Sequence, residues 1–295
     1  MQKRMILLVN PNAGKGGYKG ELGGILKTFS EGDWLPTVYF SHAPGEIPAL
    51  VEANAPEYDM VVCLGGDGTL SEVSAGMMRA REKRPVGYIP LGTANDVAHT
   101  LGLSPKPGEA AKNILSGSLT PYDIGRFGEN DYFTYIAAFG AFTEVSYATP
   151  QESKQALGHM AYMLEALRLL PKLSDCHAVI EYDGGTLAGD YIFGAVMNST
   201  SVGGMVKLSD DMVGLADGLF EILLVKKPQD ILDLGDIISS VLSLDFSGPN
   251  VSFIKSRTVR FTFDAPVAWT RDGEDGGMHR EVLIRNCHPG IEIFV

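Results

Sequence analysis

Cysteine is scarce in these 295 residues, and Cys63, Cys176 and Cys287 are odd in number, far apart and without metal-ligand spacing. That excludes a disulfide framework and a cysteine zinc site, and leaves reduced core thiols as the expectation. Long apolar runs are also missing. None approaches the roughly 20 residues that span a bilayer, so no transmembrane anchor is expected. The start, Met1-Gln2-Lys3-Arg4 and a short apolar run, does not read as a signal peptide, because Asn10-Pro11-Asn12 interrupts it before an apolar core can form. The chain therefore reads as cytoplasmic. Positive charge is in deficit, with 24 Lys and Arg against 36 Asp and Glu and a net charge of −12. Such a field repels nucleic acid and anionic membranes alike, so no nucleic-acid partner is expected. The densest basic cluster, Arg79-Ala80-Arg81-Glu82-Lys83-Arg84, follows a predicted helix and precedes Pro85, where cations complement the dipole of a helix C-terminus. There is no fixed-period repeat and no low-complexity linker.

What is present is a globular composition, 45% hydrophobic and 20% charged, on a chain long enough for two domains. Up to residue 122, short apolar strands alternate with helical patterns, which predicts an α/β domain with an open, mostly parallel sheet. Strands are predicted at residues 5–9, 36–40, 60–64 and 86–89, with helices at 18–29 and 70–81. From residue 123 to 295 strands dominate, at 132–137, 178–182, 191–197, 219–225, 258–263 and 281–284. This predicts a mainly antiparallel, β-rich second domain of β-sandwich type, with a return of the last few residues to the first domain left open. Two helical segments interrupt it, 157–170 and 231–244.

The strongest chemical signal is Leu64-Gly65-Gly66-Asp67-Gly68-Thr69, placed where a buried strand ends and a helix begins. Glycines let phosphate approach the backbone, and the helix start aims unpaired N–H groups at it. Asp67 would repel phosphates unless a cation lies between, so it suggests metal-assisted phosphoryl chemistry; the alternative is a plain Asp-Gly turn. Asn10-Pro11-Asn12-Ala13-Gly14-Lys15-Gly16 follows the first strand in the same way and belongs on the same sheet edge, although it lacks P-loop spacing. Lys15 can neutralise phosphate or pair with an acid. A third loop, Gly92-Thr93-Ala94-Asn95-Asp96, adds a hydroxyl, an amide and a carboxylate, or simply caps a helix running to Leu101.

In this order, these motifs resemble the family of diacylglycerol kinases, sphingosine kinases and their bacterial lipid-kinase relatives. Asp123-Ile124-Gly125 at the domain junction, Asp217-Gly218 and Asp272-Gly273-Glu274 extend the resemblance over nearly the whole chain. The double-glycine motif alone is also similar to NAD kinases. The resemblance implies ATP bound across Asn10, Pro11, Asn12, Ala13, Gly14 and Lys15, then Ser41, then Gly65, Gly66, Asp67, Gly68, Thr69, Leu70 and Ser71, and Thr93. Ser41 can equally be a turn hydroxyl.

An alcohol acceptor needs a nearby base, and Asp272 and Glu274 are the candidates. The resemblance favours Glu274, with Asp272 orienting it or binding metal. On a regular strand both would share one face and Arg271 would face away. The alternative is an acidic hairpin tip. The resemblance further implies Mg²⁺ held by Asp217 with backbone oxygens of Gly214 and Leu219. Related bacterial enzymes commonly carry Lys and an aromatic at the last two positions, and Ser209-Asp210 replaces their Ala-Pro. The implied reaction is phosphoryl transfer from ATP to a membrane lipid, with diacylglycerol as the first candidate, on an enzyme visiting the inner face of the membrane. Residues 157–170 can form the lipid-contacting helix or a core helix, and His159 within them reads as structural. An NAD-kinase-like phosphotransferase and a silent nucleotide sensor are the rival readings, and monomer against homodimer stays open.

Overall fold

The structure is a computed structural model, and it describes residues 2–43, 45–140, 175–202, 206–209 and 211–295. The predicted helix at 157–170, His159 and Asp210 lie outside the described residues, as does the side chain of Lys15.

Met5 to Val9 is an unbroken apolar run, the signature of a strand buried on both faces. It forms β1 (Lys3–Val9), the centre of a parallel array with β2 (Trp34–Phe40), β3 (Met60–Gly65) and β4 (Val86–Pro90), in the order β2-β1-β3-β4. One face of this array packs on α1 (Tyr18–Glu31) and α5 (Pro107–Ser116), through Ile25, Phe29 and Ile114. The other packs on α2 (Glu46–Asn54), α3 (Asp67–Arg79) and α4 (Asp96–Thr100), through Val51, Leu70, Val73 and Val97. α3 starts three residues earlier than its apolar pattern predicts, so Asp67, Gly68 and Thr69 form its first turn. The strands share one direction, so the loops after β1, β2, β3 and β4 gather at one sheet edge, where open α/β folds bind ligands.

The second part is antiparallel. It comprises β5 (Leu119–Phe127), β6 (Asp131–Phe133), β7 (Ile136–Gly140), β8 (Cys176–Tyr182), β9 (Gly185–Met197), a two-stranded ribbon of β10 (Ser201–Val202) and β11 (Val206–Lys207), then β12 (Phe220–Lys226), β13 (Val251–Ser256), β14 (Thr258–Arg271) and β15 (Glu274–Phe294). β9 and β14 are long enough to change partners: each pairs with β8 in its first half and with β7 near its end. The strands enclose an aromatic core centred on Trp269, with ring centroids 4.9 Å from Phe139 and 5.2 Å from Phe261. α6 (Ile231–Ser243) covers the outer face of β9 and β12, burying Ile237 against Leu223 and Val225.

The two parts are continuous. Among the described residues, thirteen strands form one hydrogen-bonded sheet, because β15 runs through the antiparallel part and pairs in parallel with β4 at Ile293 and Val86. Among the described residues no helix is long and apolar enough to cross a membrane.

Candidate active site

The gathered loops pack backbone against backbone. A Cβ on Gly92 would lie 2.7 Å from the Gly66 Cα, and one on Gly14, whose φ is +55°, would lie 2.3 Å from the Leu91 carbonyl oxygen. Only glycine permits these crossings. Asn10 fastens the first loop to the second: its amide donates to Thr69 Oγ1 at 3.1 Å, and its Oδ1 accepts from Asn12 N at 2.9 Å. Asn95, in the left-handed region at φ 51°, closes the third loop by accepting from Gly92 N and donating to Gly92 O, both at 2.9 Å. The result is a cleft of about 780 Å³ at the start of α3, where the first N–H groups have no intrahelical partner and the helix dipole favours anions.

Asn10, Asn12, Ala13, Gly14, Ser41, Gly66, Gly68, Thr69, Ser71 and Thr93 all line this cleft, whereas Pro11, Gly65, Asp67 and Leu70 do not. Each departure has a cause. Pro11 stays in the turn that Asn10 closes; Gly65 is the buried last residue of β3, where a Cβ would collide with Thr69 Oγ1 at 2.3 Å; Leu70 is wholly in the core. Asp67 turns away from the cleft: its Oδ2 accepts from Asp96 N at 2.9 Å and its Oδ1 from Val97 N at 3.1 Å. A residue 29 positions earlier thus caps α4, whose N-cap residue Asn95 makes no side-chain cap hydrogen bond. At 8% exposure, burial pushes the Asp67 carboxyl up to about 6, against the pull of those two hydrogen bonds.

The late acidic motif is a hairpin tip aimed at the same cleft. Asp272 (φ 49°) and Gly273 (φ 84°) form the two-residue turn joining β14 to β15, with Arg271 and Glu274 paired across it. The strand reading is therefore corrected, because a turn sends its carboxylates different ways. Asp272 points inward and accepts N–H groups from Thr134 (2.6 Å), Tyr135 (3.0 Å) and Ile136 (3.1 Å), and the Ser71 hydroxyl. Burial raises its pKa and these bonds oppose the rise. Glu274 instead lines the cleft, its Oε1 3.9 Å from where a Cβ on Gly68 would stand. Arg271 does not face away: it lines the cleft beside Glu274, with Nη1 3.1 Å from Asp131 Oδ1.

The profile for the diacylglycerol kinase catalytic domain matches residues 4–127, and that for the YegS C-terminal NAD kinase beta sandwich-like domain matches residues 138–292. A diacylglycerol kinase of Bacillus subtilis (strain 168) is 32% identical over 284 residues, covering 94% of this chain and 91% of that protein. The chain belongs to the diacylglycerol kinase family. A second relative of that name, from Staphylococcus epidermidis RP62A, is 31% identical over 296 residues, spanning 100% of this chain and 92% of its own. The crystal structure of a diacylglycerol kinase from Bacillus anthracis str. Sterne shares the fold at a TM-score of 0.77, with 21% identity, 99% of this chain and 96% of that one.

This member of the diacylglycerol kinase family also lines its cleft with residues that motif reading missed. Glu72, Ala75 and Arg79 continue the face of α3 that begins at Gly68, and the helical spacing was a usable signal. Glu72 Oε1 accepts from Gly45 N at 2.7 Å and so ties α3 to the loop before α2. Asp131 and Tyr132 arrive from β6, which only the tertiary fold brings to α3, and the Arg79 guanidinium lies 6.0 Å from the Tyr132 ring centre.

Gly214, Asp217 and Leu219 are brought together, but none of them lines the cleft. Asp217 Oδ1 accepts from Leu219 N at 2.9 Å, while Oδ2 fills a cradle at Gly214, where a Cβ would stand only 2.1 Å from it. The Leu219 carbonyl accepts from Asn286 at 3.1 Å. Gly218 N donates to the buried Asp123, whose other oxygen lies 2.7 Å from His288 Nδ1. Among the described residues no three His, Cys, Asp or Glu side chains converge as a metal cage. A cation at this turn would therefore rely on carboxylates and backbone oxygens, a donor set suited to a hard ion such as Mg²⁺.

Proposed function

We propose that this chain is an ATP- and Mg²⁺-dependent lipid kinase that transfers the γ-phosphoryl group to a lipid hydroxyl, with diacylglycerol, giving phosphatidic acid, as the foremost substrate. The observation that carries the reading is the division of labour in the hairpin. Asp272 is buried and held by three backbone N–H groups, whereas Glu274 stands free in the cleft opposite Gly68. Glu274 then takes the proton of the attacking hydroxyl, and Asp272 is a positioning residue that fixes the turn. The Gly14, Gly66 and Gly92 crossings and the start of α3 bind the phosphates and stabilise charge as it develops. Mg²⁺ bound with the nucleotide would supply neutralisation of the phosphate charge, and Asp217 with backbone oxygens of Gly214 and Leu219 would hold a cation that braces the second part.

The name that the relatives carry supports a lipid acceptor. The division of the chain into a nucleotide part (1–122) and a lipid part (123–295), and transient contact with the inner membrane face, belong to the same proposal. The test is transfer of label from γ-labelled ATP to a panel of lipids in mixed micelles. Labelled phosphatidic acid is expected, with a loss of about 10²–10⁴-fold in kcat for Glu274→Gln and little change in ATP affinity. Full activity in that variant, label on NAD in place of lipid, or ATP binding without transfer would each overturn the reading.

A further inference from the structure

Glu221 stands where the pattern of β12 calls for an apolar residue. Phe220, Ile222 and Leu224 face the aromatic core, and Leu223 and Val225 face the cluster beneath α6. Glu221 shares that second face by strand alternation and is 0% exposed. Its Oε1 accepts from Gly214 N at 3.3 Å and lies 3.1 Å from Lys255 Nζ, its direct cross-strand partner on β13. Its Oε2 is buried and has no hydrogen-bond partner.

Asp217 reaches the same turn from the other side, with Oδ2 3.9 Å from the same Lys255 Nζ. Two carboxylates therefore share one ammonium, and one carboxylate oxygen has lost its water without gaining a donor. Buried charges are retained where they are paired or coordinate a cation. With Asp217 Oδ1 engaged by Leu219 N and the Leu219 carbonyl engaged by Asn286, Glu221 Oε2 is a buried carboxylate oxygen beside this turn that has no donor of its own.

We propose that Glu221 is a ligand of a divalent, oxygen-seeking cation at the Gly214–Leu219 turn, adding its Oε2 to Asp217 Oδ2. Lys255 is then the resident counter-ion, holding the two carboxylates together when the divalent ion is absent and competing with it when present. The inference rests on reading this turn as a cation site and is independent of the phosphoryl-transfer reading of the cleft.

The test uses the full chain without nucleotide and Mn²⁺ as probe, read by the loss of free Mn²⁺ signal in electron paramagnetic resonance, with near-UV circular dichroism as the folding control. Glu221→Gln, which keeps the shape and removes the charge, is expected to weaken binding at least tenfold. Lys255→Met is expected to tighten it severalfold, because a competing cation is gone, and it carries the test if the Gln variant does not fold. Should Asp217→Asn lose binding while Glu221→Gln binds as the parent does, Glu221 is no ligand. Unchanged or weaker binding in Lys255→Met overturns the competition. Unchanged binding in both carboxylate variants removes the cation site altogether, and the labelling of lipid at the cleft would still stand or fall separately.

Discussion

The carboxylate of Asp67 is 8% exposed and serves α4. Its pKa rises from an ordinary 3.8 to about 6 on folding, so between those values the folded state holds a proton that the unfolded chain has released. Stability contributed by this residue must fall as pH rises through that interval, by about 3 kcal/mol for roughly two units of pKa. Asp67→Asn removes that slope but leaves one α4 N–H facing an amide donor, at a cost of about 1–3 kcal/mol. The expected outcome in urea denaturation is a variant clearly weaker than the parent at pH 4, with the gap narrowing or closing by pH 7. A gap that widens with pH would show that the burial of Asp67 is not what sets its titration. Sequence singled out Asp67 as chemically odd and offered a nearby cation or a plain Asp-Gly turn; the N–H groups it accepts from lie 29 and 30 residues away, and only folding brings them to it. The hairpin carboxylates divide the same way: their identity was legible, but which one faces the cleft depends on two positive φ angles.

At the scale of elements, the clearest device is the crossing of two loops at Gly66 and Gly92. A methyl on Gly92 would meet the Gly66 Cα at 2.7 Å and Asn95 Oδ1 also at 2.7 Å, so neither loop can keep its path. Gly92→Ala is expected to weaken ATP binding by at least tenfold in calorimetry while leaving secondary structure intact. Unchanged affinity would mean that the phosphates do not sit at this crossing. β1, β3, β4, α1 and α6 were legible because an apolar run or a helical stripe is a property of neighbours in sequence. α2 and α5 were missed: each is short, with Pro48 inside one and Pro107 opening the other, and such residues read as breaks. β15 was seen only as residues 281–284, since Cys287-His288-Pro289-Gly290 interrupts its pattern and its register shifts there.

For the whole molecule, β15 decides the behaviour. It pairs with β14, β5 and β4, and so hydrogen-bonds the antiparallel part to the parallel array. The two parts matched by separate family profiles should therefore melt together. Scanning calorimetry is expected to give one transition with matching calorimetric and van't Hoff enthalpies, whereas two resolved transitions would show that the shared strand does not couple them. The family and the two-part plan were readable from motifs, and a return of the last few residues to the first domain was left open; that one continuous strand makes this return was not readable, because its pattern breaks at Cys287-His288-Pro289-Gly290.

The same strand imposes an order on synthesis. The outer edge of β4 has its strand partner at Ile293, some 207 positions after Val86. At about 5–20 residues per second, a ribosome needs roughly 10–40 s to cover that distance. Through that interval the nascent parallel array carries an open, apolar sheet edge, the kind of surface that pairs with other chains. The protein's exposure to aggregation is thus set by how long its beginning waits for residues 291–294.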